Sequence, residues 1–168
     1  NPPRTITGNT FDNWTLGTTA VAVMNNQGFG GNSTISSNTI SNITSTGAIT
    51  GVNIGNIGNA TTFNVNSNSI TNLTSSGAGG TVIGLNNTQP ATTLTNNTNL
   101  NTITGLSSTA GAVTGIASSS ASPTKAISNN TIGTLSSAGN VVSAISSSNG
   151  TTITISTNGI TGITGTSV

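Results

Sequence analysis

The chain repeats itself about every thirty residues, and the repeat is built on the phrase Asn-x-apolar, with a small residue at x. Its apolar anchors are Phe11, Ile40, Ile70, Ile103, Ile132 and Ile160, at intervals of 29, 30, 33, 29 and 28 residues. Asn stands two positions before every anchor: Asn9, Asn38, Asn68, Asn101, Asn130 and Asn158. A second apolar residue comes three positions after each: Trp14, Ile43, Leu73, Leu106, Leu135 and Ile163. A fixed period of this length constrains the fold more than any local propensity. Each copy is then one unit that buries its apolar side against the next copy.

More columns appear when the copies are aligned. About ten residues after the anchor stand Val21, Ile49, Val82, Val113 and Val142, and three residues later Met24, Val52, Leu85, Ile116 and Ile145. Five residues before it stand Ile6, Ile35, Val65, Ile127 and Ile155. This last column breaks at Thr98, in the longest interval. An insertion near "TLTNNTNLN" is expected to bring Leu94 or Leu100 into its place.

The apolar clusters are short, β-branched and punctuated by Gly, Asn and Ser, the pattern of strands and turns. The long Ala-, Leu-, Glu- and Lys-rich runs that helices prefer are missing. The expected fold is all-β: a parallel β-helix, or β-solenoid, of five to six coils of roughly 30 residues with three short strands per coil. Residues 1–168 form a single domain in this reading, with 1–4 as an N-terminal extension or junction segment. Coils spaced by about 4.8 Å would give a body about 26 Å long. The aliphatic columns fill its interior. The Asn column is expected at a bend, where Asn tolerates left-handed backbone and where its amide can bond to the Asn above and below.

Composition removes most chemistries. Of 168 residues, 2% are charged; Asp12 is the one acid, Arg4 and Lys125 the bases, and there is no His or Cys. Ordinary domains are about 25% charged. Paired-carboxylate hydrolysis needs two acids, and a Ser-His-Asp or Cys-His relay needs a base. Metal sites need ligands that are missing here, so no catalytic residue, metal or cofactor is expected. A net charge of +1 gives no basic patch for nucleic acid. No apolar run is long enough to span a bilayer, and no signal peptide opens the sequence. Arg4, Asp12 and Lys125 read as solvated surface charges. A disordered tract would also be rich in Ser, Asn and Gly, but it would not repeat Ile, Leu and Val in register.

The phrases "NNTI", "SNTISNIT" and "NSITNLT" resemble right-handed parallel β-helix repeats of the pectate-lyase-like class. They are most similar to the Asn/Thr-rich kind in large secreted surface proteins of bacteria. The resemblance runs from about Thr5 to Ile163. It implies the solenoid fold and a secreted, surface-exposed setting. The acidic and basic cluster of catalytic pectate lyases has no counterpart here, so that activity is not implied.

The terminal segments carry no clear cap, and charged gatekeepers are almost absent. An open end strand is a template for another chain. Such ends fit either a window of a longer solenoid or a subunit that stacks end to end. The expected function is non-enzymatic: an extracellular fibre or stalk subunit stacking head to tail with copies of itself, Arg4 lying at the junction segment. Its missing half coil would be completed by the N-terminal segment of the next subunit. One alternative is an adhesin or carbohydrate-binding stalk segment of a larger surface protein, using outer Asn and Thr columns against surface glycans. Its aromatics are Phe11, Trp14, Phe29 and Phe63, of which Phe11 and Trp14 fall in core columns. A further alternative is ice binding, from "TIT" at Thr5–Thr7 and Thr152–Thr154, although other coils interrupt the array. Asn42, Asn59, Asn72 and Asn129 head glycosylation sequons, which surface loops present.

Overall fold

The computed structural model describes residues 3–58, 62–89 and 95–166, the side chains of 28–30 and 56–58 excepted. Among the described residues every regular element is a strand. The first coil holds β1 (Arg4–Thr7), β2 (Thr10–Leu16) and β3 (Val21–Gly30). The second holds β4 (Ser33–Ser36), β5 (Thr39–Ser45) and β6 (Ile49–Gly58). The third holds β7 (Thr62–Asn66), β8 (Ser69–Ser75) and β9 (Val82–Asn87). The fourth holds β10 (Thr95–Asn99), β11 (Thr102–Ser108) and β12 (Val113–Ser118). The fifth holds β13 (Thr124–Ser128), β14 (Thr131–Ser137) and β15 (Val142–Ser147), and β16 (Thr152–Ser156) with β17 (Gly159–Thr164) begins a sixth.

Each strand pairs in parallel with its equivalent one coil away. The first sheet is β1-β4-β7-β10-β13-β16, the second β2-β5-β8-β11-β14-β17 and the third β3-β6-β9-β12-β15. The chain is thus a parallel β-solenoid of about 5 turns of roughly 29 residues, with three strands per coil.

Registers coincide with the sequence columns. Phe11, Ile40, Ile70, Ile103, Ile132 and Ile160 are successive partners up the second sheet. Trp14, Ile43, Leu73, Leu106, Leu135 and Ile163 form the next row of the same sheet. Val21, Ile49, Val82, Val113 and Val142 run up the third. The inner members from Ile40 to Ile132 and from Ile43 to Leu135 are 0% exposed. Each such side chain contributes about 1.5–3 kcal/mol by leaving water.

In a regular strand, residues three apart face opposite sides. Here an anchor and the apolar residue three later both point inward. The residue between them, two after the anchor, has positive φ in every copy: Asn13 (60°), Asn42 (54°), Asn72 (56°), Gly105 (68°), Thr134 (53°) and Gly162 (63°). It drops out of the pairing, bends the strand and re-aims the next side chains, as a bulge does.

A second left-handed column corrects the expectation for the Asn column. The residues with positive φ at the first bend are Gly8, Ser37, Ser67, Leu100, Asn129 and Thr157, each one position before the repeated Asn. The preceding residue makes the bend, which leaves the Asn side chain free to turn into the stack.

The Thr98 expectation is also corrected. Thr98 itself occupies the core column, paired with Val65 and Ile127 and 3% exposed. Leu100 sits at the left-handed bend and is 60% exposed; Leu94 lies outside the described residues. The extra length of the third interval lies elsewhere. Ile70 to Val82 spans 12 positions where Ile103 to Val113 spans 10, and Val82 to Thr95 spans 13 where Val113 to Thr124 spans 11. The insertion falls between strands, and the strands keep register.

Candidate functional site

The repeated Asn residues form one continuous hydrogen-bonded ladder at the bend between the first and second sheets. Asn9 donates from its backbone N–H (3.0 Å) and its Nδ2 (2.9 Å) to Asn38 Oδ1. Asn38 does the same to Asn68, at 3.1 and 2.9 Å. Asn68 donates to Asn101, Asn101 to Asn130 and Asn130 to Asn158, all at 2.9–3.0 Å. The second Nδ2 proton goes back one coil, to the carbonyls of Ile6, Ile35, Val65, Thr98 and Ile127 in turn. Asn38, Asn68, Asn101 and Asn130 are each 1% exposed. Burying four amides is tolerable because their polar atoms are partnered.

The amide-to-amide ladder has a direction: each Asn from Asn9 to Asn130 donates to the Oδ1 of the next Asn toward the C-terminus. Its two ends are therefore different. Among the described residues, Asn9 Oδ1 accepts no hydrogen bond, while the Asn158 backbone N–H and one Nδ2 proton have no acceptor. The core columns open at the same ends. Trp14 is 39% exposed, Ile160 47% and Ile155 50%, although inner members of those columns are buried. Phe11 and Trp14 meet edge to face, centroids 5.7 Å apart, on the first open end.

Five residues after the anchor runs a second polar column, which sequence reasoning missed. Ser45, Ser75, Ser108 and Ser137 are buried. Their hydroxyls donate to the carbonyls of Gly17, Gly47, Gly80 and Gly111, at 2.7–2.9 Å. They stitch the turns between the second and third sheets to the coil before. The signal was Ser at one fixed offset in four copies, with Leu16 in the first.

The outer faces carry hydroxyl and amide rows. Thr15, Thr44 and Thr74 line a groove of about 220 Å³ with Leu16, Ser45, Thr46 and Ser76. Asn72 donates to Asn42, and Asn42 to Asp12; thus Asn42 and Asn72, exposed sequon residues, already use their amide nitrogens. Asn129 is exposed, and Asn59 lies outside the described residues. The Thr5 row continues as Thr34, Asn64, Asn97, Ala126 and Thr154, so no unbroken threonine array faces out there. Phe63 is 0% exposed and offers no stacking surface; the Phe29 side chain lies outside the described set.

Arg4 is exposed, in β1. Asp12 is exposed and accepts from Ser41 Oγ (2.6 Å) and Asn42 Nδ2 (2.9 Å). Those bonds, Ser41's first, hold its carboxyl below the usual value. Its stabilising contribution is present above the unfolded pKa and lost as pH falls through the lowered one. Lys125 corrects the surface reading. It faces inward and is 1% exposed, with Nζ donating to the carbonyls of Ser118 (3.2 Å), Ser120 (3.2 Å) and Ser148 (2.5 Å). Burial pushes its pKa down from 10.5. Its neighbours in the row are Asn96 and Ile153, so an inward place was legible from Ile153.

Among the described residues no group of three or more His, Cys, Asp or Glu comes together, and no helix is long and apolar enough to cross a membrane. Comparison with protein-family models, with curated proteins and with solved structures finds no match to this chain.

Proposed function

We propose that this chain is a non-enzymatic structural segment of an extracellular fibre or stalk. The setting is the secreted bacterial surface that its repeat phrases resemble. Its solenoid coils stack head to tail on those of a second copy. The observation carrying this reading is the pair of unlike ladder ends. Asn158 offers two donors where Asn9 Oδ1 offers a free acceptor, so one copy's last coil suits the next copy's first. Exposed Ile155 and Ile160 would be covered by Ile6 and Phe11 of that neighbour, continuing the core columns. The first two sheets have six strands and the third five, so the continued rows run through the first two faces. A head-to-tail contact of this kind uses different surfaces on each side and extends without closing.

Sedimentation velocity tests this reading. The wild type is expected to form a concentration-dependent series of larger species. Ile160→Lys, which places a charge in the contact, should sediment as a monomer with unchanged β-sheet circular dichroism. A wild type that stays monomeric at every concentration would overturn the reading.

The threonine-lined groove at Thr15, Thr44 and Thr74 supports a second one, a stalk that holds surface glycans by hydroxyl and amide contacts. Glycan binding by soluble Ile160→Lys monomers would favour it.

A further inference from the structure

The corner where the third sheet hands over to the first is unlike the rest of the interior. Elsewhere inward columns are aliphatic or, at the Asn and Ser columns, hydrogen-bonded. Here the row of inward residues along β3, β6, β9, β12 and β15 is Asn26, Ile54, Asn87, Ser118 and Ser147. Facing them at the start of the first-sheet strands stand Phe63, Asn96, Lys125 and Ile153. Asn87 and Gln89 are 0% exposed and Asn96 is 2% exposed.

These three amides are buried without the partners burial demands. Among the described residues, Asn87 Nδ2, Gln89 Nε2, Gln89 Oε1 and Asn96 Nδ2 have no hydrogen-bond partner. A buried polar atom left so costs about 1–3 kcal/mol, and four of them lie in one corner of one turn. On one side, Ile54 and Phe63, both 0% exposed, pair with Asn87 and Asn96 and offer nothing polar from their side chains. On the other, Ser118 pairs with Asn87, and Lys125 with Asn96, so Lys125 lies one strand spacing of about 4.8 Å along the row. All three Lys125 contacts are neutral carbonyls. The one acidic side chain of the chain, Asp12, is bound to Ser41 and Asn42 on the outer surface of the first two coils.

We propose that this corner binds a small monovalent anion of halide size. The unpartnered groups are three NH₂ donors against one carbonyl acceptor, one row from a buried lysine whose ammonium has no carboxylate partner. Water brings as many donors as acceptors and would leave protons facing protons. A halide accepts from all three amides and supplies the charge that Lys125 lacks. Gln89 Oε1 takes a donor from one accompanying water. The apolar floor of Ile54 and Phe63 closes the site against bulk solvent and admits a weakly hydrated ion.

Crystals of the full chain, purified and grown in sodium bromide, test this through anomalous scattering at the bromine edge. A peak enclosed by the Asn87, Gln89 and Asn96 nitrogens is expected. Asn96→Leu, grown the same way, should lose it. A wild-type map with only water in the corner, or with the three amides bonded to one another, would overturn the proposal, as would a peak that survives in Asn96→Leu. The wild-type map decides by itself if that variant does not fold.

Discussion

At the scale of single residues, an Asn in this solenoid does a job that neither Asp nor Thr can do. It accepts twice at Oδ1 and donates from Nδ2 in two directions at once. Removing one inner rung should orphan groups on the rung before it. Asn101→Leu leaves the Asn68 N–H and one Asn68 Nδ2 proton without partners. At about 1–3 kcal/mol each, chemical denaturation should show a loss of at least ~2 kcal/mol, whereas Asn9→Leu at the exposed end should cost less than about 1 kcal/mol. Equal losses at the two positions would contradict the ladder. Lys125 gives a second residue-scale prediction. Its folded pKa is depressed below 10.5 by burial, so the unfolded chain binds more protons over the window between the two values. Stability should therefore rise as pH climbs through that window, and Lys125→Met should abolish the rise. The chain has no His, Cys or Tyr to obscure that limb, and the measurement is a series of denaturation midpoints from pH 7 to 11.

At the scale of the strand, close packing of neighbouring coils is the governing constraint. In the third sheet, Gly84 lies where an added Cβ would meet Ile103 Cγ2 at 2.6 Å and the Gly115 carbonyl oxygen at 2.7 Å. A backbone oxygen one coil away cannot step aside without breaking register. Gly84→Ala should therefore lower stability by about 1–3 kcal/mol through overpacking, read as a lower thermal midpoint. An unchanged midpoint would mean that the coils sit further apart. The strand scale also shows what a sequence can reveal. Columns of Ile, Leu and Val were legible because burial selects the residue type directly. The bend at Asn13, Asn42, Asn72 and Gly105 was hidden because positive φ is tolerated by several residues, and Thr134 shares the column. Thr98 misled because its hydroxyl suggested a skipped core position, while register is set by neighbours on both sides. Lys125 misled because charge argues for solvent; only the row it shares with Phe63 and Ile153 argued otherwise.

At the scale of the molecule, nearly every stabilising contact lies between adjacent coils, so the body is a stack with two unlike ends. The interior rungs of the Asn ladder are satisfied on both sides. The end coils are not: one offers the Asn9 acceptor beside Phe11 and Trp14, the other the Asn158 donors beside Ile155 and Ile160. Scarce charge removes the repulsion that normally keeps like chains apart. The proposed fit of these two ends is tested by electron microscopy of the purified protein across a dilution series. Unbranched filaments are expected at high concentration, with an axial repeat near 29 Å, six strand spacings of about 4.8 Å for the six-stranded first and second sheets, shortening on dilution. Discrete rods of one coil-stack length at every concentration would contradict it.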